Sequence, residues 1–390
     1  MEVKIEKFDH LGNGIGKIDE KVVFVKRSLP DEIVDVKIID ERKKYAFGKI
    51  KKIIKNSDNR NESICPYYDK CGGCDFLHTT EEVERDFKKE KASDLISDKL
   101  CFYDTKEFNY RNKVILHGDG SKLGFYEEKT NNIIDIDYCY LLDERINKVI
   151  RNLKKYIKEN KCFIKEVMIR VGDEIILNID GIVDKDFINT FSSVENIIIN
   201  NKVIKGKGFI EKNLLNYNFK ISPKSFFQVN YYGLECIYKI LKENLSNHYK
   251  KALDLYSGTS VMGILISDFC DKVISVESNE SATNDALINI ENNNIKNIEV
   301  INAKVETVID KLRDVDLIII DPPRSGLDKK TISYINEINP QTLIYISCNM
   351  ITLKRDLQLL NEKYDLKSLN LVNMFPKTYH VESVCVLKHE

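Results

Sequence analysis

From about residue 221 the chain alternates short apolar runs with helical stretches, and this alternation constrains the fold more than any other feature. Runs at 252–256, 273–277, 298–303, 316–321 and 342–347 have the length and β-branched content of buried parallel strands. Helical patterns lie between them, as at 281–294, and two further strands near 367–374 and 382–387 close the chain. Parallel neighbours need a crossover, and crossover helices cover both sheet faces, so the pattern predicts a doubly wound α/β domain over 221–390. Such sheets bind ligands beyond the carboxyl ends of their strands.

The chemistry-bearing residues cluster at those strand ends. The run at 343–346 stops at Ser347-Cys348-Asn349, and a helix follows with Leu353, Leu357 and Leu360 on one face. Cys348 reads either as a nucleophile at the cleft or as a small buried hydrophobe. Asp254-Leu-Tyr-Ser-Gly258 puts a glycine at the first strand-to-helix turn, where the backbone can approach a nucleoside. Glu277 ends the second strand, at the distance where an acid accepts ribose hydroxyls. The full dinucleotide fingerprint is missing, so one glycine plus one acid suits S-adenosylmethionine (SAM), which has no pyrophosphate, better than NAD. Asp321-Pro-Pro-Arg324 ends the fourth strand, its prolines stiffening the loop.

The first 220 residues read differently. Residues 1–56 are short alternating strands with turns between them, which predicts a small β-barrel of the kind that binds single-stranded nucleic acid. The glycines at 12, 14 and 16 precede a strand and open no helix, so they make no dinucleotide site. Residues 57–220 read as a mixed α+β domain: a helix over 79–100 capped by Thr79 with Glu82 completing a capping box, a second helix at about 143–159, and several strands. Near its start stand Cys65, Cys71 and Cys74, spaced C-x5-C-x2-C, with Gly72 and Gly73 allowing tight folding around one centre. Three thiolates leave a fourth position open, for which Cys139 is the candidate. Iron–sulfur is favoured over zinc, because no second CxxC or His pair completes a ribbon. Basic and aromatic residues interleave at Phe108-Asn-Tyr-Arg-Asn-Lys113, a pattern shared by nucleic-acid surfaces and solvated strands.

Composition enters only as a bound. Net charge is −1, so charge alone does not announce nucleic acid, although residues 1–60 hold 15 Lys and Arg against 11 Asp and Glu. No apolar run reaches a membrane-spanning length, and MEVKIEKFDH is not a signal peptide, so the expected compartment is the cytoplasm. The ten cysteines are then not expected to form disulfides.

Together these motifs resemble the RNA (uracil-5)-methyltransferases, specifically the ribosomal-RNA branch with a TRAM domain and an iron–sulfur cluster. The resemblance covers nearly the whole chain. It implies a Rossmann-like SAM domain, a TRAM barrel over 1–56, and a [4Fe-4S] cluster on Cys65, Cys71, Cys74 and Cys139. Phe226-Phe-Gln-Val-Asn230 implies that Gln228 contacts SAM; Tyr256, Gly258, Glu277 and Asp321 fall on other SAM positions. Ser347-Cys348-Asn349 implies that Cys348 is the nucleophile, and Phe375-Pro-Lys-Thr-Tyr-His-Val-Glu382 implies that Glu382 is the base. Three local departures stand out, one of them Ala303, which offers no side chain to the adenine. The loop Gly258-Thr-Ser-Val lacks the family's second glycine two places on, and the barrel turn reads Pro30-Asp31-Glu32 instead of Pro-Gly-Glu.

The reaction asks for these residue types. C5 of uracil is a poor nucleophile until a thiolate adds to C6, and a base must later remove the C5 proton so that the thiol can leave. The target base must leave its stack, with Phe226 or Phe227 available to stack on it and Arg111 and Asn112 available to touch RNA. The expected substrate is 23S rRNA and the expected state a monomer. Three alternatives stay open: a tRNA uridine-5 methyltransferase, an amino-directed methyltransferase that leaves Cys348 idle, and an inactive RNA-binding factor.

Overall fold

The computed structural model describes residues 1–160, 162–245, 247–360 and 364–389. Strands Glu2–Phe8, Gly14–Ile18, Lys21–Val25, Ile33–Glu41 and Tyr45–Lys55 close into the expected small barrel. Their alternate residues Val3, Ile5, Val23, Val25, Val34, Val36 and Ala46 fill it. At the Pro30-Asp31-Glu32 turn, Asp31 takes the left-handed φ of 69° that a glycine would adopt freely. The buried Glu32 secures this turn, accepting from Leu29 N at 2.8 Å and pairing with Arg60.

A seven-stranded sheet follows, built around the antiparallel strands Lys113–Gly118, Phe163–Val171 and Ile175–Ile182. Helix Glu144–Glu159 lays Ile146, Val149, Ile150 and Leu153 on it, starting from Asp143 as cap. The earlier helix, Glu81–Leu95, is capped by Thr80, one residue later than the sequence suggests. Thr79 instead donates to Asn59 O at 3.0 Å, so Glu82 falls one position short of a capping box.

The last domain is an eight-stranded, mostly parallel sheet in the expected doubly wound arrangement. Its spatial order runs Ile298–Asn302, Cys270–Glu277, Tyr249–Leu255, Leu317–Ile320, Thr342–Ser347, Glu382–His389, Tyr364–Val372, Leu100–Tyr103. Apolar layers cover both faces. Two pieces expected in the middle domain belong here instead. Leu100–Tyr103 pairs parallel to Tyr364–Val372, and the hairpin Ile210–Leu214/Tyr217–Ile221 buries Phe219 and Ile221 in this core. Short strands carry no mark of which distant sheet edge will accept them.

Candidate active site and nucleic-acid interface

Strand Thr342–Ser347 pairs antiparallel with Glu382–His389, with Ser347 opposite Ser383. Cys348 follows Ser347 directly and Glu382 precedes Ser383, and the Glu382 carboxyl lies near enough to act on the Cys348 thiol. Asn349 caps helix Met350–Leu359, accepting from Ile351 N at 3.1 Å, and its Nδ2 donates to Arg324 O at 3.0 Å. The Asp321-Pro-Pro-Arg324 loop is thereby tied to the cysteine turn. Asp356, fully buried, reinforces the tie: it accepts from Leu327 N at 2.8 Å and from the Tyr345 hydroxyl at 2.7 Å, while Arg355 donates to Ser325 O at 3.0 Å. Cys348 lines a pocket of about 210 Å³ with Arg324, Tyr379 and His380, and His10 and Leu11 of the barrel form part of its wall.

Three acids meet here. Burial, with the nearby carboxylates of Glu382 and Asp321, pushes the Cys348 thiol up to about 11, and Arg324 opposes that rise. Burial pushes Asp321 up to about 7. Burial and then Asp321 raise Glu382 well above the ordinary carboxylate range, with Arg324 again opposing.

The neighbouring cleft gathers the other expected residues. Gly258, at φ 54°, donates its N–H to Glu277 Oε2 at 2.9 Å. Tyr256 has a left-handed φ of 61°, its hydroxyl donates to Glu306 Oε1 at 3.3 Å, and its ring packs partly buried against the apolar layer on that face. Ser260, at the place of the missing second glycine, also has a left-handed φ, 58°. Asp254 supports the turn from below, accepting from Gly263 N at 2.8 Å; burial pushes its carboxyl up to about 7. Asp321 N reaches Leu255 O at 3.4 Å, which brings the fourth strand's end beside this turn. The Ser257 and Thr259 hydroxyls are buried without a partner. Orphaned hydroxyls on a glycine turn facing a ribose-type acid suit the polar groups of SAM.

Phe227 is core, packed on Phe219, whereas Phe226 is 61% exposed and lies against Gly258. Asn112, expected to face RNA, is buried instead: its Nδ2 donates to Gln228 O at 3.0 Å and its N–H to Val229 O at 2.9 Å. It holds the Gln228 segment in place. Arg111 lines a cavity of about 580 Å³ together with Phe226, and Cys65, Cys71, Cys74 and Cys139 line the same cavity. Burial pushes the Cys139 thiol up to about 11 and holds Cys74 well above the ordinary thiol range, each raised additionally by neighbouring thiols. Among the described residues no three His, Cys, Asp or Glu side chains are set closely enough to hold a single metal ion.

Comparison with known proteins decides the family. Residues 185–390 match the family described as tRNA (uracil-5-)-methyltransferase, and residues 1–51 match the TRAM domain. An RNA methyltransferase of Clostridium acetobutylicum is 33% identical over 99% of this chain and 96% of its own length. An Aquifex aeolicus RNA methyltransferase is 31% identical over 100% of this chain and 98% of its own. The chain belongs to the RNA (uracil-5)-methyltransferase family. Among solved structures, the Pyrococcus abyssi tRNA (uracil-54, C5)-methyltransferase in complex with S-adenosyl-L-homocysteine superposes with TM-score 0.83 at 26% identity, over 99% of this chain and 100% of that one. The expected enzyme class, a SAM-dependent RNA uracil-C5 methyltransferase, therefore stands. No helix among the described residues is long and apolar enough to cross a membrane.

This methyltransferase also uses residues that sequence reasoning missed. The loop ahead of Glu382 is held by segments some 300 positions earlier. Asp75 N and Phe76 N donate to Lys377 O at 2.8 and 3.1 Å, and Asp75 Oδ2 accepts from Tyr379 N at 3.2 Å. Glu84 accepts from Lys377 N at 3.0 Å and from the fully buried Lys88 Nζ at 2.5 Å. Lys377 itself sits at a left-handed φ of 66°, a conformation imposed by these partners. The only signal available in sequence was the EVERDFKKE pattern, which places Glu84 and Lys88 one helical turn apart.

Proposed function

We propose that this enzyme methylates C5 of a uridine in 23S rRNA through a covalent adduct between Cys348 and C6 of a flipped-out uracil. The observation that supports this best is the gathering of Glu382, Arg324 and Asp321 around Cys348, at the end of the strand pair that closes with Ser347 opposite Ser383. SAM, held by Gln228, Tyr256, Gly258, Glu277 and Asp321, supplies the methyl group as an electrophilic sulfonium. Cys348 gives its proton to solvent water and its thiolate adds to C6, so that C5 becomes nucleophilic; Arg324 steadies the thiolate charge. After C5 has been methylated, Glu382 takes the C5 proton. The C–H electrons form the C5=C6 double bond and the C6–S bond breaks, returning the thiolate. Burial and Asp321 raise the proton affinity of Glu382, which favours proton uptake once the carboxyl is ionised. Phe226, exposed beside Gly258, stacks on the extruded base. The enzyme acts in the cytoplasm as a monomer.

The cysteine cavity holds a [4Fe-4S] cluster on Cys65, Cys71, Cys74 and Cys139. Those four cysteines, which line one cavity, would be the residues that hold it. Its role is structural, since its loop runs directly into Asp75 and Phe76, which hold the segment before Glu382.

The deciding assay is transfer of labelled methyl from SAM to unmodified total RNA, with nucleoside analysis. Wild type should yield 5-methyluridine in rRNA, Cys348→Ala none, and Glu382→Gln a protein–RNA adduct that survives denaturing electrophoresis. A Cys348→Ala variant that keeps its rate would move the amino-directed reading ahead. A second substrate, tRNA, is favoured by the P. abyssi neighbour, which acts on tRNA uracil-54. Label appearing in tRNA and not in rRNA would select it.

A further inference from the structure

The cavity shared by Phe226 and the four cysteines is lined by three cations that the reaction does not use: Arg111, Lys113 and Arg170. Lys113 and Arg170 lie directly opposite each other on the antiparallel strands Lys113–Gly118 and Phe163–Val171. Like charges in that position repel and weaken the pairing. Arg111 stands two residues before Lys113, so all three project towards the cavity.

None of the three has a carboxylate partner among the described residues. Arg111 Nε donates to Lys113 O at 3.1 Å, and Arg170 Nη1 donates to Ser222 O and Ser225 O at 3.2 and 3.1 Å. Arg170 is 1% exposed, yet its Nε has no partner at all. Asp285 lies close enough to act on Arg170, but it is paired with Lys220 at 3.1 Å. Burial, then Arg170 and Arg111, pull the Lys113 ammonium down to about 8, as expected for cations gathered without an anion. The cations acting on the cysteine end of the cavity are different ones, Arg27 and Lys26 beside Cys71.

We propose that Arg111, Lys113 and Arg170 form a phosphate-binding cradle for the RNA backbone next to the target uridine. Three donors converge on one open space, one of them with a buried N–H still unfilled. The exposed Phe226 ring lines the same space, where an unstacked base and its phosphate have to be held together. Arg170 has a second duty, since its bonds to Ser222 and Ser225 position the segment that presents Phe226 and Gln228. The assignment rests on the RNA substrate class and names which residues grip that substrate.

The test keeps Arg170 intact and neutralises its neighbours with Lys113→Met and Arg111→Met, using Lys113→Arg as a charge-preserving control. Affinity for a labelled oligouridylate and for unmodified total rRNA is measured across a salt series, alongside SAM calorimetry and iron content. Each neutralising change should flatten the salt slope by about 0.7 and weaken binding about fivefold at 0.1 M salt, whatever the RNA sequence. SAM affinity and iron content should hold, and Lys113→Arg should bind like wild type. An unchanged slope overturns the cradle. So does lost iron with an unchanged slope, which would assign the cations to balancing the cysteine site. If the slopes flatten while the wild type makes no 5-methyluridine, the cradle stands and the uracil reading falls.

Discussion

Glu84 offers the sharpest test of how the loop before Glu382, the proposed base, is held. It is 2% exposed and faces Lys88, which is fully buried, with Lys88 Nζ 2.5 Å from Glu84 Oε1 and 2.7 Å from Asn373 Oδ1. Both Glu84 oxygens also accept from Lys377 N at 3.0 Å. Replacing Glu84 by Leu strands a buried ammonium, which should cost about 3–5 kcal/mol and lower the melting temperature by about 6–20 °C. Adding Lys88→Met removes the stranded charge. The double variant should then recover to within about 1–3 kcal/mol of wild type, the remainder being the Lys377 N–H left without an acceptor. Urea unfolding of the two single variants and the double variant measures this directly. The folded double variant should still bind SAM normally but turn over RNA slowly, because Lys377 no longer fixes Tyr379, His380 and Glu382. A double variant no more stable than Glu84→Leu would refute the charge-stranding argument. One with wild-type turnover would refute the link from Glu84 to the base.

Three further outcomes follow from the site. The active forms of Cys348, at about 11, and Asp321, at about 7, are deprotonated, so kcat/KM for RNA should climb steadily between pH 6 and 9; a flat profile would contradict thiolate attack. Asp254 has its carboxyl pushed up from 3.8 to about 7, so the folded state keeps a proton that the unfolded state has lost. Wild-type stability should therefore fall as pH rises through that window, and Asp254→Asn should gain on wild type by at most about 4 kcal/mol at pH 8, read by urea unfolding. At Ser260, a change to Gly relieves a left-handed residue but loses the 2.7 Å contact to the Ser275 hydroxyl, so its effect should be near zero. Ser260→Ala keeps the strain and loses the contact, and should cost about 1–2 kcal/mol in the same assay.

Much of the site was legible because its residues terminate strands. Gly258, Glu277, Asp321 and Cys348 each follow an apolar run, and a doubly wound sheet gathers such ends along one lip. Asn112 was misread because its neighbours Arg111 and Lys113 alternate with it: on a strand, every second residue turns to the opposite face. The helix cap shifted from Thr79 to Thr80 because both are competent caps and a distant carbonyl, Asn59 O, claimed the first.

The sequence by itself determined the barrel, the doubly wound domain, the cysteine spacing and the candidates for the reactive groups. All are written in periodicities and short motifs whose members lie close along the chain. Only the tertiary structure decided which groups meet: Glu382 near Cys348, Lys113 opposite Arg170, Asp75 and Glu84 under Lys377, and Leu100–Tyr103 on the far edge of the last sheet. The reason is that a side chain's own preferences act over a few residues. Strand order and register are settled by burying whole apolar faces at once, and no single stretch of sequence carries that information.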